Sequence, residues 1–314
     1  MKWFVSACLI LSLTACTVFM ETRQPPYTAH GFSSRSSGEV QVLWIGHSTV
    51  LLRLYDKWVL TDPNFSTRVG LVVKRFYYPG ADLDSLPSMD AVLISHTHMD
   101  HLDRPSLSRL KIKGRVAVPA GAATYLPSDV ERLATEFSPW DTLSVDGLRI
   151  TAVPANHFGG RYVVDNFWDG HPYTGYVLEY RDITIYFAGD TGYDDSTFVR
   201  IGKQFHIDLA LIPIGPTSSI SAEGFGNPVH VNARGALRIF KDLQASYMVP
   251  IHYGTFYRPM DMELRRLADA MRDSGVENGI LVPKIGQPVS AGIRLSKLVI
   301  TSDGTYSDGL GPHR

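Results

Sequence analysis

The chain of 314 residues is almost without cysteine: it has two, Cys8 and Cys16, both close to its start. Beyond residue 16 neither a disulfide framework nor a thiolate metal site can form, so any metal there must be held by nitrogen and oxygen. Charge is also sparse. With 19% charged residues and a formal net charge of −1, nothing supports a nucleic-acid partner gathered by bulk electrostatics, although a local basic patch stays open. The longest apolar run near the start, residues 3–13, is too short to cross a bilayer as a mature helix. No internal repeat stands out. What remains is an ordinary globular composition, 44% hydrophobic, enough for one large domain or two small ones.

Against that plain background one stretch stands out. His96-Thr97-His98-Met99-Asp100-His101 follows the apolar run Ala91-Val92-Leu93-Ile94, which reads as a buried strand. Imidazole and carboxylate are ligands of zinc and similar divalent ions. Two apart at a strand end, His96 and His98 point the same way, while Asp100 and His101 fall where the chain turns into a helix. One loop could thus supply two adjacent ions with a pair of ligands each. The bland alternative is a polar strand-end loop that happens to be rich in histidine.

This spacing after a strand resembles the metallo-β-lactamase superfamily. The resemblance implies further ligands, each after a strand-like run: His157 after Pro154-Ala155-Asn156, Asp190 after Phe187-Ala188-Gly189, and His252 after Val249-Pro250-Ile251. It implies a first divalent ion, most simply zinc, on His96, His98 and His157, and a second on Asp100, His101 and His252, with Asp190 between them. It also implies that Asp62, in Thr61-Asp62-Pro63, lies beneath the metals and orients a ligand; its alternative is an Asp opening a turn before Pro63. The implied fold is α/β (α+β), a four-layer αβ/βα sandwich with the site at the sheet edges. His47, in Gly46-His47-Ser48-Thr49, faces the same direction, yet a lone loop histidine is more often structural.

At the start, Lys2 and the apolar stretch form a targeting segment ending in Leu13-Thr14-Ala15-Cys16. That ending resembles the bacterial lipoprotein box, which would make Cys16 the lipidated first mature residue; the alternative is a plain signal peptide cut near Ala15. The expected organisation is a signal segment over 1–16, a flexible tether over 17–37 and a hydrolase domain over 38–314. The expected location is the bacterial cell envelope, anchored to the outer membrane and facing the periplasm.

Short strands are expected over 40–45, 50–54, 58–61, 148–153, 183–188 and 209–213, with a hairpin at Asp146-Gly147. Helices are expected from Pro105, over 233–243 and over 260–273. Residues 65–86 have no clean pattern; Lys74-Arg75 beside Phe76-Tyr77-Tyr78 would suit a lipid with an anionic head group, or a loop packed on the core. Glycines and aromatics after His157 look like a mobile wall of the pocket.

Trp44 to Thr49, Leu60 to Pro63, Gly189 to Tyr193 and the span from His230-Val231-Asn232 to His252-Tyr253-Gly254 are similar to the N-acyl-phosphatidylethanolamine-hydrolysing phospholipase D group. That resemblance implies a metal-dependent phosphodiesterase on a phospholipid, using a hydroxide bridging two zinc ions to attack phosphorus. Asp100 and His230 are the catalytic candidates, Asp100 doubling as a ligand and His230 orienting the phosphate or protonating the leaving group. The alternative for His230 is a helix-start histidine bonded to a carbonyl. Two rivals stand beside this reading: a lactonase or another phosphodiesterase on the same site, and a lipid-anchored binding protein with a degenerate site. A membrane partner through Cys16 and no nucleic acid are expected, and a homodimer is compatible with the sequence.

Overall fold

Alternation of side chains along the first strands builds the molecule. In the strand β1 (Val40–Gly46), Val42 and Trp44 point into one apolar cluster while Leu43 and Ile45 point into another. In β2 (Thr49–Leu54), Val50, Leu52 and Leu54 join the first cluster and Leu51 the second. Both faces of this sheet are therefore buried. At about 1.5–3 kcal/mol for each fully buried aliphatic side chain, a strand so placed is fixed in register. The computed structural model describes residues 21–29, 40–70, 73–161, 173–216, 224–256, 259–276, 278–291, 298–300 and 306–308. Cys16, the signal segment and much of the expected tether lie outside these residues.

The chain continues through β3 (Lys57–Thr61), the two-residue strands β4 (Arg68–Val69) and β5 (Val73–Lys74), β6 (Met89–Leu93), the short helix α1 (Arg104–Leu107), β7 (Ile112–Pro119), α2 (Ser128–Glu131) and β8 (Ala134–Phe137). It then forms β9 (Thr142–Val145), β10 (Leu148–Val153), β11 (Gly175–Tyr180), β12 (Ile183–Phe187), α3 (Thr197–Gln204), β13 (Leu209–Pro213), β14 (Gly226–Asn227), β15 (His230–Val231), α4 (Ala233–Asp242), β16 (Tyr247–Ile251), α5 (Met260–Ser274) and β17 (Pro288–Ala291).

One sheet has the order β17-β1-β2-β3-β6-β7-β8 and the other β16-β13-β12-β11-β10-β9. Each has an antiparallel part and a parallel part: β3, β6, β7 and β8 run parallel in the first, and β12, β13 and β16 in the second. The sheets face each other across a shared core in which Phe137 of β8 meets Tyr176 of β11 edge to face at 6.0 Å. Leu237 and Phe240 of α4, with Leu264 and Leu267 of α5, belong to the same core beside the second sheet. Leu102, Leu107, Leu126 and Val130 cover the other face of the first. The four-layer α/β sandwich expected from the sequence is the observed architecture. Among the described residues no helix is long and apolar enough to cross a membrane.

Local chemistry explains several boundaries. Asp146 and Gly147 both have positive φ, 47° and 83°, and join β9 to β10 in a two-residue turn, as the Asp-Gly pair foretells. Asp103 caps α1 by accepting from Ser106 N at 3.2 Å, and Asn232 caps α4 by accepting from Gly235 N at 3.0 Å.

Two expectations need correction. Residues 21–29, inside the expected tether, lie against residues 75–81: Arg23 N donates to Phe76 O at 2.8 Å, Tyr78 N to Arg23 O at 2.9 Å and Ala29 N to Gly80 O at 2.9 Å. Backbone pairing holds a stretch whose composition alone reads as linker. The second concerns Lys74-Arg75 as a head-group site. Arg75 is 2% exposed; its Nη1 donates to Asn64 O at 2.8 Å and its Nε to Tyr77 O at 3.1 Å. The guanidinium sits 5.2 Å from the Phe256 ring centroid, so Arg75 belongs to a loop packed on the core.

Candidate metal centre

The strand ends deliver the polar residues to one place. Asp62 follows β3, Ser95 to His101 follow β6, His157 follows β10, Asp190 follows β12 and His252 follows β16. The sheets are tied together beside them: Thr174 N, just before β11, donates to Ser95 O at 2.8 Å, and Tyr176 Oη donates to Ile94 O at 3.0 Å. Close approach depends on Gly189, which has φ 61° and on which a Cβ would stand 2.3 Å from Ser95 Cβ. Only a residue without a side chain lets the Asp190 loop come so near the histidine loop.

His96, His98 and His157 form one group whose candidate ligand atoms lie within 4.8 Å of one another, and His47, Asp100, His101 and His252 form a second. His96 Nε2 is 2.8 Å from His98 Nδ1, which is 3.3 Å from His157 Nε2. Asp190 connects the two: its Oδ2 is 3.3 Å from His101 Nε2, 3.0 Å from His252 Nε2 and 3.3 Å from His230 Nε2, and Asp190 also forms a group with His157 and His230.

The outer hydrogen bonds determine which nitrogens are bare. His252 Nδ1 donates to Gly215 O at 2.6 Å and His157 Nδ1 to Val229 O at 2.9 Å. His101 Nδ1 donates to Asp62 Oδ2 at 2.6 Å. Ser95 Oγ spends its single proton on Asp62 Oδ2 at 2.6 Å, so it accepts from His96 Nδ1 at 2.9 Å. In the neutral ring each of these histidines then keeps Nε2 as a lone-pair donor aimed inward, the arrangement in which protein histidines bind metals. Among the described residues, His101 Nε2, His252 Nε2 and Asp190 Oδ1 are buried with no hydrogen-bond partner. Lone-pair nitrogens facing one another, with orphaned oxygen and nitrogen beside them, fit divalent cations, and the donor set is imidazole and carboxylate throughout.

Electrostatics keep four of these histidines neutral and one charged. Burial holds His47 and His157 down at about 3, helped at His47 by the neighbouring His252. Burial also takes His96 well below the ordinary imidazole value, with His101 and His98 adding to the effect, and lowers His98. Burial alone would lift the carboxyls of Asp100 and Asp190, but His101, with His47 at the first and His252 at the second, holds both below the usual range. His101 goes the other way: burial opposes its charge, yet Asp190, Asp100 and Asp62 together raise it well above 6.5.

Every candidate from the sequence within the described residues comes to this cluster. Asp62 sits beneath it at 0% exposure, accepting also from Ser95 N at 2.7 Å. His230 stands at its rim, 23% exposed at the side chain. His47, which the sequence leaves as an isolated loop histidine, is buried in it, with Nε2 3.2 Å from Asp100 Oδ2. Its signal was the chain's return through β1 to the same sheet edge. Half-exposed Phe158 leans on His98 and His157 with ring centroids 4.7 and 4.8 Å away; the rest of the expected pocket wall, 162–172, lies outside the described residues.

A family model described as the beta-lactamase superfamily domain matches residues 57–253. An uncharacterized protein of Mycobacterium tuberculosis is 34% identical over 270 residues, covering 81% of this chain and 69% of its own length. N-acyl-phosphatidylethanolamine-hydrolyzing phospholipase D 1 of Caenorhabditis elegans is 31% identical over 272 residues, covering 78% of this chain and 74% of its own. Among solved structures, a metallo hydrolase of the archaeon Ignicoccus hospitalis superposes with a TM-score of 0.59 at 21% identity, over 80% of this chain and 97% of that one; at that identity the likeness is one of fold.

Proposed function

This chain belongs to the β-lactamase superfamily as a metal-dependent hydrolase, and from that premise we propose a phospholipase D-type phosphodiesterase acting on N-acyl-phosphatidylethanolamine or a related lipid. His96, His98 and His157 would hold one zinc ion and Asp100, His101 and His252 a second, with Asp190 between. The observation that carries the two-ion reading is Asp190: its Oδ2 lies within 3.3 Å of His101 and His252 of the second group, it has a ligand atom within 4.8 Å of one on His157 of the first, and its Oδ1 is buried without a partner among the described residues. The lipid reading draws on the similarity to the Caenorhabditis elegans enzyme.

Bound there, the ions would supply a water nucleophile ionised near neutral pH and positive charge opposite the phosphoryl oxygens. The chain's own residues do the rest. Asp62 and Ser95 keep His101 and His96 in the tautomers that present Nε2. His230 sits where its ring reaches both Asp190 and solvent, placed to orient the phosphate or pass a proton to the departing oxygen. Half-exposed Phe158 gives the first-ion side an apolar flank. Anchoring through an acylated Cys16, with the domain at the outer membrane facing the periplasm, would keep the site beside its substrate; this placement rests on Leu13-Thr14-Ala15-Cys16 and the Thr17 that follows.

Incubating the purified chain with a total lipid extract, and in parallel with lactones and nucleotide phosphodiesters, tests the reading. Release of phosphatidic acid and an N-acylethanolamine is expected. Turnover confined to the lactones would replace the lipid reading with a lactonase on the same site. Mass spectrometry of the mature N-terminus should show diacylglycerol and an acyl chain on Cys16; a free thiol there removes the anchor.

A further inference from the structure

His47 has no role in the reading above, yet its environment is unusual. Its φ is 56°, a left-handed conformation that a residue with a side chain rarely adopts without compensation. The backbone around it is pinned at both ends: His47 N donates to Thr255 Oγ1 at 2.6 Å, while His47 O accepts from His252 N at 2.9 Å and from Trp44 Nε1 at 2.9 Å. Two of these three bonds come from the loop that carries the last ligand. The ring is enclosed by His252 at 4.0 Å, His101 at 4.9 Å and Phe256 at 5.0 Å between centroids, and the residue is 2% exposed. Its Nε2 lies 3.2 Å from Asp100 Oδ2. An ionised carboxylate only accepts, so Nε2 carries the proton and donates, and that nitrogen is not free to bind a cation.

We propose that His47 is a positioning residue for the second ion: it fixes one oxygen of Asp100 by a hydrogen bond so that the carboxylate is presented to the cation shared with His101 and His252. The strained backbone is the means. The bonds to Thr255 and His252 hold the backbone of His47 where its ring reaches Asp100, so Asp100 is oriented by a residue from a different loop than its own. Asn64 also holds this segment, its Nδ2 donating to Asp100 O at 3.0 Å.

The inference rests on the two-ion reading but not on the identity of the substrate, and metal binding to the metal-free full chain, titrated with zinc against a chromophoric chelator, tests it. H47G removes the ring while relieving the left-handed strain, so loss of folding does not obscure the result; H47Q keeps an N–H donor at nearly the same reach. In H47G the first ion should bind as in the native chain, and the second should bind about 10–100-fold more weakly, the usual effect of removing a partner that orients a ligand. H47Q should recover most of that loss, and its cobalt-substituted form should keep the native ligand-field spectrum. A second ion bound by H47G with native affinity overturns the proposal and leaves His47 a packing residue. A second site as weak in H47Q as in H47G, with an altered cobalt spectrum, also overturns it, because the ring would then be a ligand itself. A native chain that takes up one ion would instead defeat the two-ion reading before any variant is compared.

Discussion

Asp62 Oδ2 accepts a hydrogen bond from His101 Nδ1 at 2.6 Å, and both side chains are shut off from solvent. The same carboxylate oxygen accepts a hydrogen bond from Ser95 Oγ, through which it governs His96. One buried residue thus sets the tautomer of a ligand in each of the two groups. Asp62→Ala should weaken binding at both, each by about 10–100-fold, whereas Ser95→Ala should weaken the His96 group more than the other. Zinc content after dialysis against graded chelator reads this directly, and an Asp62→Ala chain that keeps native affinity at both groups would show Asp62 to be a turn residue only.

Asp190 stands against His101 and His252 of one group and has a ligand atom within 4.8 Å of one on His157 of the other, so Asp190→Ala should cost more activity and more bound metal than replacing any one histidine. Elemental analysis of the native chain should give close to two ions and that of the variant clearly fewer. Full activity in a metal-free preparation would sink the mechanism.

The pH dependence of the metal-free chain has two limbs. Burial depresses His47, His96 and His157 in the folded state, the first and third to about 3. Below 6.5 the unfolded chain therefore binds protons that the folded chain refuses, and stability is lost as pH falls from 6.5 toward 3. His101 is raised, so above 6.5 the folded chain holds a proton that the unfolded chain has released, and stability is lost as pH climbs through its folded value. The melting temperature without metal should peak near pH 6.5. Metal uptake expels the His101 proton, so it should release acid in weak buffer and tighten as pH rises. A flat melting profile between pH 4.5 and 9 would contradict this account.

His230→Ala should retain native metal content and melting temperature while turnover falls by about 10²–10⁴. With a p-nitrophenol leaving group, which needs no proton to depart, the loss should shrink if His230 is an acid. Lost stability with native activity per folded molecule would make it structural, and lost metal would make it a ligand.

Gly189→Ala should be severe for a different reason. The added Cβ meets Ser95 at 2.3 Å and the backbone is left-handed, so a cost of about 1–3 kcal/mol should come with displacement of Asp190 and reduced metal content. Native stability in a thermal melt of this variant would mean the two loops are free to part.

The sequence was legible where chemistry repeats a spacing. Each ligand of the resemblance follows an apolar run that is a strand in the structure, and β10 and β13 match their expected limits. It was opaque where a residue's meaning comes from elsewhere in the chain. His47 reads as a lone histidine until β1 and β16 bring it to Asp100. Arg75 reads equally as part of a head-group site or of a loop packed on the core until its surroundings, carbonyl oxygens and the Phe256 ring, decide for the second. The helix α3 was missed although Asp194 Oδ1 accepts from Ser196 N at 2.7 Å and Thr197 N at 3.0 Å at its start, and β17 begins with a proline at the edge of its sheet, where no interior ladder bond is lost.

The docking of residues 21–29 along residues 75–81 has a mechanical consequence. If Cys16 carries the acyl chains, four residues, and so five residue-to-residue steps, separate it from the fixed segment, a contour of about 18 Å at most. The body is then leashed to the bilayer rather than loosely moored, and meets lipid by lateral diffusion in a plane. On vesicles its velocity should follow the surface mole fraction of substrate, and diluting the vesicles at constant composition should leave it unchanged.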